Sequence, residues 1–124
     1  MKANSFLVAD ELLKRSKHKS MTFVRLKDLL YLAYLHHWME YGKSLFDAEF
    51  IENRVCPVDR LMQKFLEDTY TVHRKDVRHL RKGRLGKKGM RTVRETVDRF
   101  DGVSEYDITT SIHHQARLLE QSTT

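Results

Sequence analysis

The sequence predicts a mainly α protein: a compact single-domain helical bundle of about five to six helices, with one short extended segment or small hairpin. Three observations carry this expectation. Apolar residues recur at three- and four-residue spacing along most of the chain. Proline occurs once and glycine five times in 124 residues, too few for the many tight turns of an all-β fold. Leu, Ile, Val and Phe number 33, enough for a core without disulfide staples. Residues 1–124 read as one domain.

The first helix is expected over Ser5 to Lys17, capped by Asn4 or Ser5, with Val8, Ala9, Leu12 and Leu13 as its apolar stripe. The second should run from Phe23 to Tyr41, with Thr22 as cap and Gly42 in the left-handed position that ends it. Leu26, Leu29, Leu30, Ala33, Tyr34, His37, Trp38 and Tyr41 form one face, and Tyr31, Leu32 and Leu35 make the other partly apolar. A helix apolar nearly all round belongs at the centre of its domain.

From Lys43 to Val58 the spacing of Leu45, Phe46, Phe50, Ile51 and Val55 suits an extended segment. Pro57 fits the first turn of a third helix carrying Val58, Leu61, Met62, Phe65 and Leu66. After a break near Asp68–Thr71, Arg74 to Lys82 reads as a short basic helix with Val77 and Leu80 inward. Gly83, Gly86 and Gly89 mark a flexible loop, followed by a helix from about Arg91 to Phe100. Ser104 caps a last helix bearing Ile108, Ile112, Ala116 and Leu119, with fraying from Gln121.

The net charge of +6 is concentrated. Between His73 and Arg94 lie ten Lys and Arg residues and a single acid, Asp76, so the remaining chain is mildly acidic. That asymmetry points to an anionic partner, either an acidic protein surface or a nucleic acid. Arg74, Lys75, Arg78, Arg81, Lys82, Arg84, Lys87, Lys88 and Arg91 are the candidate contacts. Lys87 and Lys88 are expected to steer association, and Arg78 and Arg81 to hold the complex, all four with solvent-facing side chains. Few aromatics interleave the cations, which disfavours stacking on single strands.

Catalytic and metal chemistry find little support, and neither an enzyme nor a cofactor is expected. His36-His37 and His113-His114 are adjacent pairs pointing two ways on a helix, and His73 and His79 are six apart. No serine sits in a nucleophile elbow, and the carboxylates of Asp47, Glu49 and Glu52 cluster without an assigned role. Gly86-Lys87-Lys88-Gly89 has the Gly-x-x-Gly form of a backbone-clamping loop but lacks the strands such a loop needs. The lone Cys56 fits a reducing, cytoplasmic setting, and the longest uncharged run, Leu29 to Met39, is too short to span a bilayer.

Leu26-Lys27-Asp28-Leu29-Leu30-Tyr31-Leu32-Ala33 resembles the Leu-x-Lys-Leu-Leu-Tyr-Phe-Ala block of the Panacea domain, the SocA-like antitoxin family. The likeness continues through Trp38 and Tyr41-Gly42-Lys43-Ser44-Leu45-Phe46-Asp47 to Phe50–Val58, where Cys56 stands for a glycine before Pro57. Asn4 to Leu13 is similar to the family's opening helix, and Val97 to His113 to its ending. The stretch from His73 to Met90 has no counterpart there, so the resemblance implies a single domain of that type over 1–124 with a basic insertion at about 73–90.

The resemblance implies a helical antitoxin that neutralises a toxin by stoichiometric contact, or a phage-borne inhibitor or adaptor acting on a host or defence protein. Tyr31, Tyr34 and Trp38 are candidate aromatic anchors, although the core of the central helix claims Trp38 first. An exposed apolar strip on so small a domain would favour a dimer.

Overall fold

The computed structural model describes residues 2–51 and 58–123, with side chains as far as His114. Two early helices organise the molecule. Helix α1 (Ser5–Arg15) starts where the Asn4 side chain accepts from the Leu7 N–H at 3.0 Å. It buries Phe6, Val8, Ala9, Leu12 and Leu13, and also the hydroxyl of Ser5 and the carboxylate of Asp10. Its leucines each contribute about 1.5–3 kcal/mol by leaving water.

Helix α2 (Phe23–Tyr41) has the predicted bounds. Thr22 Oγ1 accepts from the Arg25 N–H at 3.1 Å, and Gly42 closes the helix at φ +67°. It packs on α1, on α5 (Lys87–Phe100) and on α6 (Glu105–Thr123), so it is central, as its apolar circumference implied. Leu26, Leu29, Leu30, Leu32 and Ala33 are buried. Trp38 is not; it is 52% exposed, against the expectation of a core residue. The last turn of α2 still meets α5, with the Lys88 ammonium 5.2 Å from the Tyr41 ring centre, but Trp38 and Met39 are exposed there.

The mainly α class holds, with two small antiparallel ladders among the described residues. β1 (Ser20–Thr22) pairs with β2 (Thr71–His73), Met21 lying opposite Val72. β3 (Phe50–Ile51) pairs with β4 (Val58–Asp59), Ile51 opposite Val58, which makes the expected hairpin. Helix α3 (Arg60–Leu66) therefore begins after Val58. Its cap is Asp59, whose buried carboxylate accepts from Ser5 Oγ at 2.6 Å and from the N–H groups of Glu49 and Met62. The expectations for Glu52, Val55, Cys56 and Pro57 lie outside the described residues.

Helix α4 (Arg74–Val77) runs into a single 3₁₀ turn, Arg78–Leu80, with Val77 buried. The flexible glycine loop is corrected by the structure. Only residues 81–86 connect to α5, which begins at Lys87 with Gly86 as its cap, and Gly89 is inside it. A Cβ on Gly89 would sit 2.9 Å from Leu85 Cδ2, so the bare glycine lets that leucine fold onto the helix. In α6 the Asp107 N–H donates to Ser104 Oγ at 3.1 Å and Ile108 and Ile112 are buried, as predicted. The helix continues to Thr123, past the point where fraying was expected.

Candidate functional site

The basic segment is built into the core, and it is held by three separate ties. The Asp10 carboxylate, with no exposed surface, accepts from Arg74 Nε at 2.9 Å and Nη2 at 3.4 Å, and from Arg81 Nη1 at 2.8 Å. Arg74's hydrogen bond to Asp10, reinforced by that residue's charge, raises the guanidinium's pKa above its ordinary value. Asn4 supplies the second tie: its amide donates to the Leu80 carbonyl at 3.0 Å, and its Oδ1 accepts from the Lys82 N–H at 3.1 Å. The third is backbone contact, where Lys2 bridges to Arg84 and Gly83 lies against the Lys2 carbonyl.

Arg74 and Arg81 differ from the other predicted contacts in that each already holds an ion pair with Asp10. Arg81 is solvent-exposed, as expected, but it also ties its segment to α1. Lys75, Arg78, Lys82, Arg84, Lys87, Lys88 and Arg91 are exposed. Of these, Arg91 donates to Glu95 at 2.9 Å and the Lys88 ammonium lies 5.2 Å from the Tyr41 ring centre.

Those ties shape a groove. Leu61, Lys64 and Phe65 of α3 form one side; His79, Leu80 and Lys82 form the other, with Lys2, Asn4, Phe6 and Asp47 completing a cavity of about 570 Å³. Phe6 meets Phe65 edge-to-face at 5.7 Å between ring centres. The predicted apolar stripe of α3 is split by this arrangement. Met62 and Leu66 turn into the core, whereas Leu61 and Phe65 are 38% and 49% exposed. Lys2, Lys64 and Lys82 put three cations on the rim, with Asp47 the acid among the lining residues. The groove went unrecognised in the sequence because its walls come from segments distant along the chain; an apolar stripe on a short helix, broad enough for two faces, was the available signal.

The aromatic anchors divide. Tyr31 and Tyr34 are half-buried against Phe50, at 5.4 and 5.0 Å, and Tyr34 also meets Phe46. They brace the β3–β4 hairpin on α2. Trp38 remains available on the surface. Of the residues carrying the family resemblance, Leu26, Leu29, Leu30 and Phe46 are buried, Asp47 and His113 are exposed, and Pro57 lies outside the described residues.

A polar seam joins α2 to α5. The Thr92 hydroxyl donates to the Lys88 carbonyl at 3.1 Å, so His37 is assigned as donating from Nδ1 into Thr92 Oγ1 at 2.7 Å. Burial lowers the His37 pKa below 6.5, helped by the neighbouring His36 and by Lys2 and Lys88, while Glu40 opposes the shift. A histidine with a lowered folded pKa binds protons less readily folded than unfolded. Its contribution is complete above pH about 6.5 and is lost as pH falls from there through the folded value, below which the loss levels off. His37→Asn keeps a donor near Thr92 without the titration. Urea unfolding across pH 4–8 should therefore show a shallower acid limb for the variant than for the wild type.

Comparison with protein-family models, with curated proteins and with solved structures yields no match. No helix among the described residues is long and apolar enough to cross a membrane.

Proposed function

We propose that the protein is an antitoxin-like binding protein that neutralises a target protein by direct stoichiometric contact, using the groove between α3 and the 79–82 segment. The observation that carries this reading is the pairing of exposed Leu61 and Phe65 with a rim of Lys2, Lys64 and Lys82. Large apolar groups left in water beside three lysines suit a segment bearing apolar anchors and acidic flanks. Inhibition by occupancy needs no reacting group. The resemblance to Panacea antitoxins supports the same mode of action.

Within this reading the apolar residues hold the complex and the rim cations accelerate its formation. Leu61→Ser with Phe65→Ser should weaken partner binding at least tenfold, with a melting temperature lowered only slightly, since both side chains are substantially exposed. Lys64→Ala with Lys82→Ala should slow association, and added salt should erase the difference. The test is co-expression with the product of the neighbouring gene, scored by growth and by co-purification. A product harmless on its own, or a pair that does not co-purify, sinks the antitoxin reading. Wild-type co-purification by the serine variant moves the interface off the groove.

Nucleic acid is the rival partner, favoured by the exposed cations that remain at Lys75, Arg78, Arg84, Lys87 and Lys88. Duplex binding whose logarithm falls by about 0.9 per phosphate contact per log unit of salt would support it.

A further inference from the structure

On the surface of the α2–α5 seam, three potential ligand groups converge from two helices. His36 Nε2 lies 3.1 Å from Glu40 Oε2, one turn along α2, and 2.9 Å from Glu95 Oε2 on α5. One ligand atom from each residue can be chosen so that all lie within 4.8 Å of one another. Donors around a first-row divalent ion at 2.0–2.2 Å stand roughly 3–3.5 Å apart. The two imidazole–carboxylate separations already match, and Glu40, on the surface of α2, can rotate to close the remaining one.

The His36 ring nitrogen is shared between two carboxylates. A neutral imidazole has at most one proton on Nε2, while two carboxylates face that nitrogen. Arg91 donates to Glu95 Oε1, the oxygen on the other side of the carboxylate, so Oε2 stays directed at the ring. The hydrogen bond from His36, then that from Arg91, keeps the Glu95 carboxyl below its usual range and hence ionised. Beside the cluster a cavity of about 30 Å³, lined by His36, Glu95 and Thr96 among others, has room for one small occupant.

We propose that His36, Glu40 and Glu95 form a binding site for a zinc-like divalent cation that clips the C-terminal half of α2 to α5. One imidazole and two carboxylates form a mixed nitrogen and oxygen donor set, suited to zinc and its first-row neighbours more than to calcium or magnesium, which prefer oxygen alone. Three protein ligands leave at least one position for water. The ion takes the His36 Nε2 lone pair in place of that nitrogen's proton. Arg91 competes for Glu95 and sets a limit on that affinity. The site is separate from the α3 groove and does not depend on its role.

Titration of the full chain with zinc, followed by thermal unfolding, and with cobalt(II), followed by visible absorption, tests the site. At free zinc about a hundredfold above the dissociation constant, the folded-to-unfolded ratio should rise about a hundredfold. His36→Ala and Glu95→Gln should each weaken binding at least tenfold, with the metal-free melting temperature measured alongside. Arg91→Ala should strengthen it, a gain that damage to the fold does not produce. Absence of binding up to about 1 mM zinc overturns the proposal. So does binding of unchanged affinity in both the His36 and Glu95 variants, which would assign the ion to other histidines.

Discussion

Arg74→Ala combined with Arg81→Ala should be among the most damaging changes to this protein, although both arginines lie near the surface. Their guanidinium groups are the two that meet Asp10 on α1, a carboxylate with no exposed surface. Removing them strands a buried carboxylate, which should clearly lower the urea midpoint even though water can enter the vacated space. Asp10→Asn should cost less. The arginines it releases are already 30% and 41% exposed and can turn into solvent, and an amide is easier to bury than a carboxylate. Urea unfolding of the two variants against wild type checks the order. If Asp10→Asn is the more damaging, Asp10 is not the buried charge that the two arginines serve.

The same contact changes what the charge asymmetry means. Ten cations between His73 and Arg94 read as one electrostatic patch, but two of them are consumed holding α4 and the 81–86 connection to α1. The exposed remainder therefore sits on a fixed scaffold. A partner approaching Lys82 meets a lysine whose backbone is bonded on both sides to Asn4, with N–H to Oδ1 at 3.1 Å and carbonyl to the Asn4 N–H at 3.0 Å. Preorganisation of that kind lowers the ordering cost of binding.

The parts of the fold written in local chemistry were legible. Helix α2 is bounded by a threonine cap and a left-handed glycine, each of which acts within a few residues, so both ends could be placed. The Ser104 cap and the burial of Ile108 and Ile112 were readable for the same reason. Pairings between distant segments were not. Asp10 is 64 residues from Arg74, and β1 and β2 are three residues each, too short for a periodic signature. The signal for Asp10 was an acid set within the buried run Val8-Ala9-Asp10, with Leu12-Leu13 close behind; it marked α1 as needing an internal cation without saying which. Trp38 was misplaced because a helix apolar nearly all round offers no polar face to mark which of His37 and Trp38 turns inward; His37 is buried and Trp38 is exposed. His36, Glu40 and Glu95 escaped the histidine survey because two of the three are carboxylates, one on another helix.

Gly83→Ala should destabilise the protein by about 3 kcal/mol or more, far beyond the usual effect of adding one methyl group to a loop. Two costs combine at this residue. Its φ of +86° is a conformation that residues with a Cβ adopt at a penalty of about 1–3 kcal/mol. A Cβ there would also stand 2.2 Å from the Lys2 carbonyl oxygen and 2.8 Å from Ala3 Cα. These are backbone atoms, so no side chain can rotate away, and relief requires moving the segment that leads into α1. That segment carries the Asp47 N–H to Ala3 carbonyl bond at 2.8 Å and the Asn4 contacts that fix the groove wall. Gly102→Ala supplies the control, with φ at +91° and nothing within 4 Å of its Cβ. It should cost only the conformational part, about 1–2 kcal/mol. Unfolding free energies for the two variants isolate the close approach as their difference, and the Gly83 variant should also bind the groove's partner more weakly. Equal losses at the two glycines would mean that the N-terminal segment is not held against Gly83, and the wall built on it would have to be abandoned.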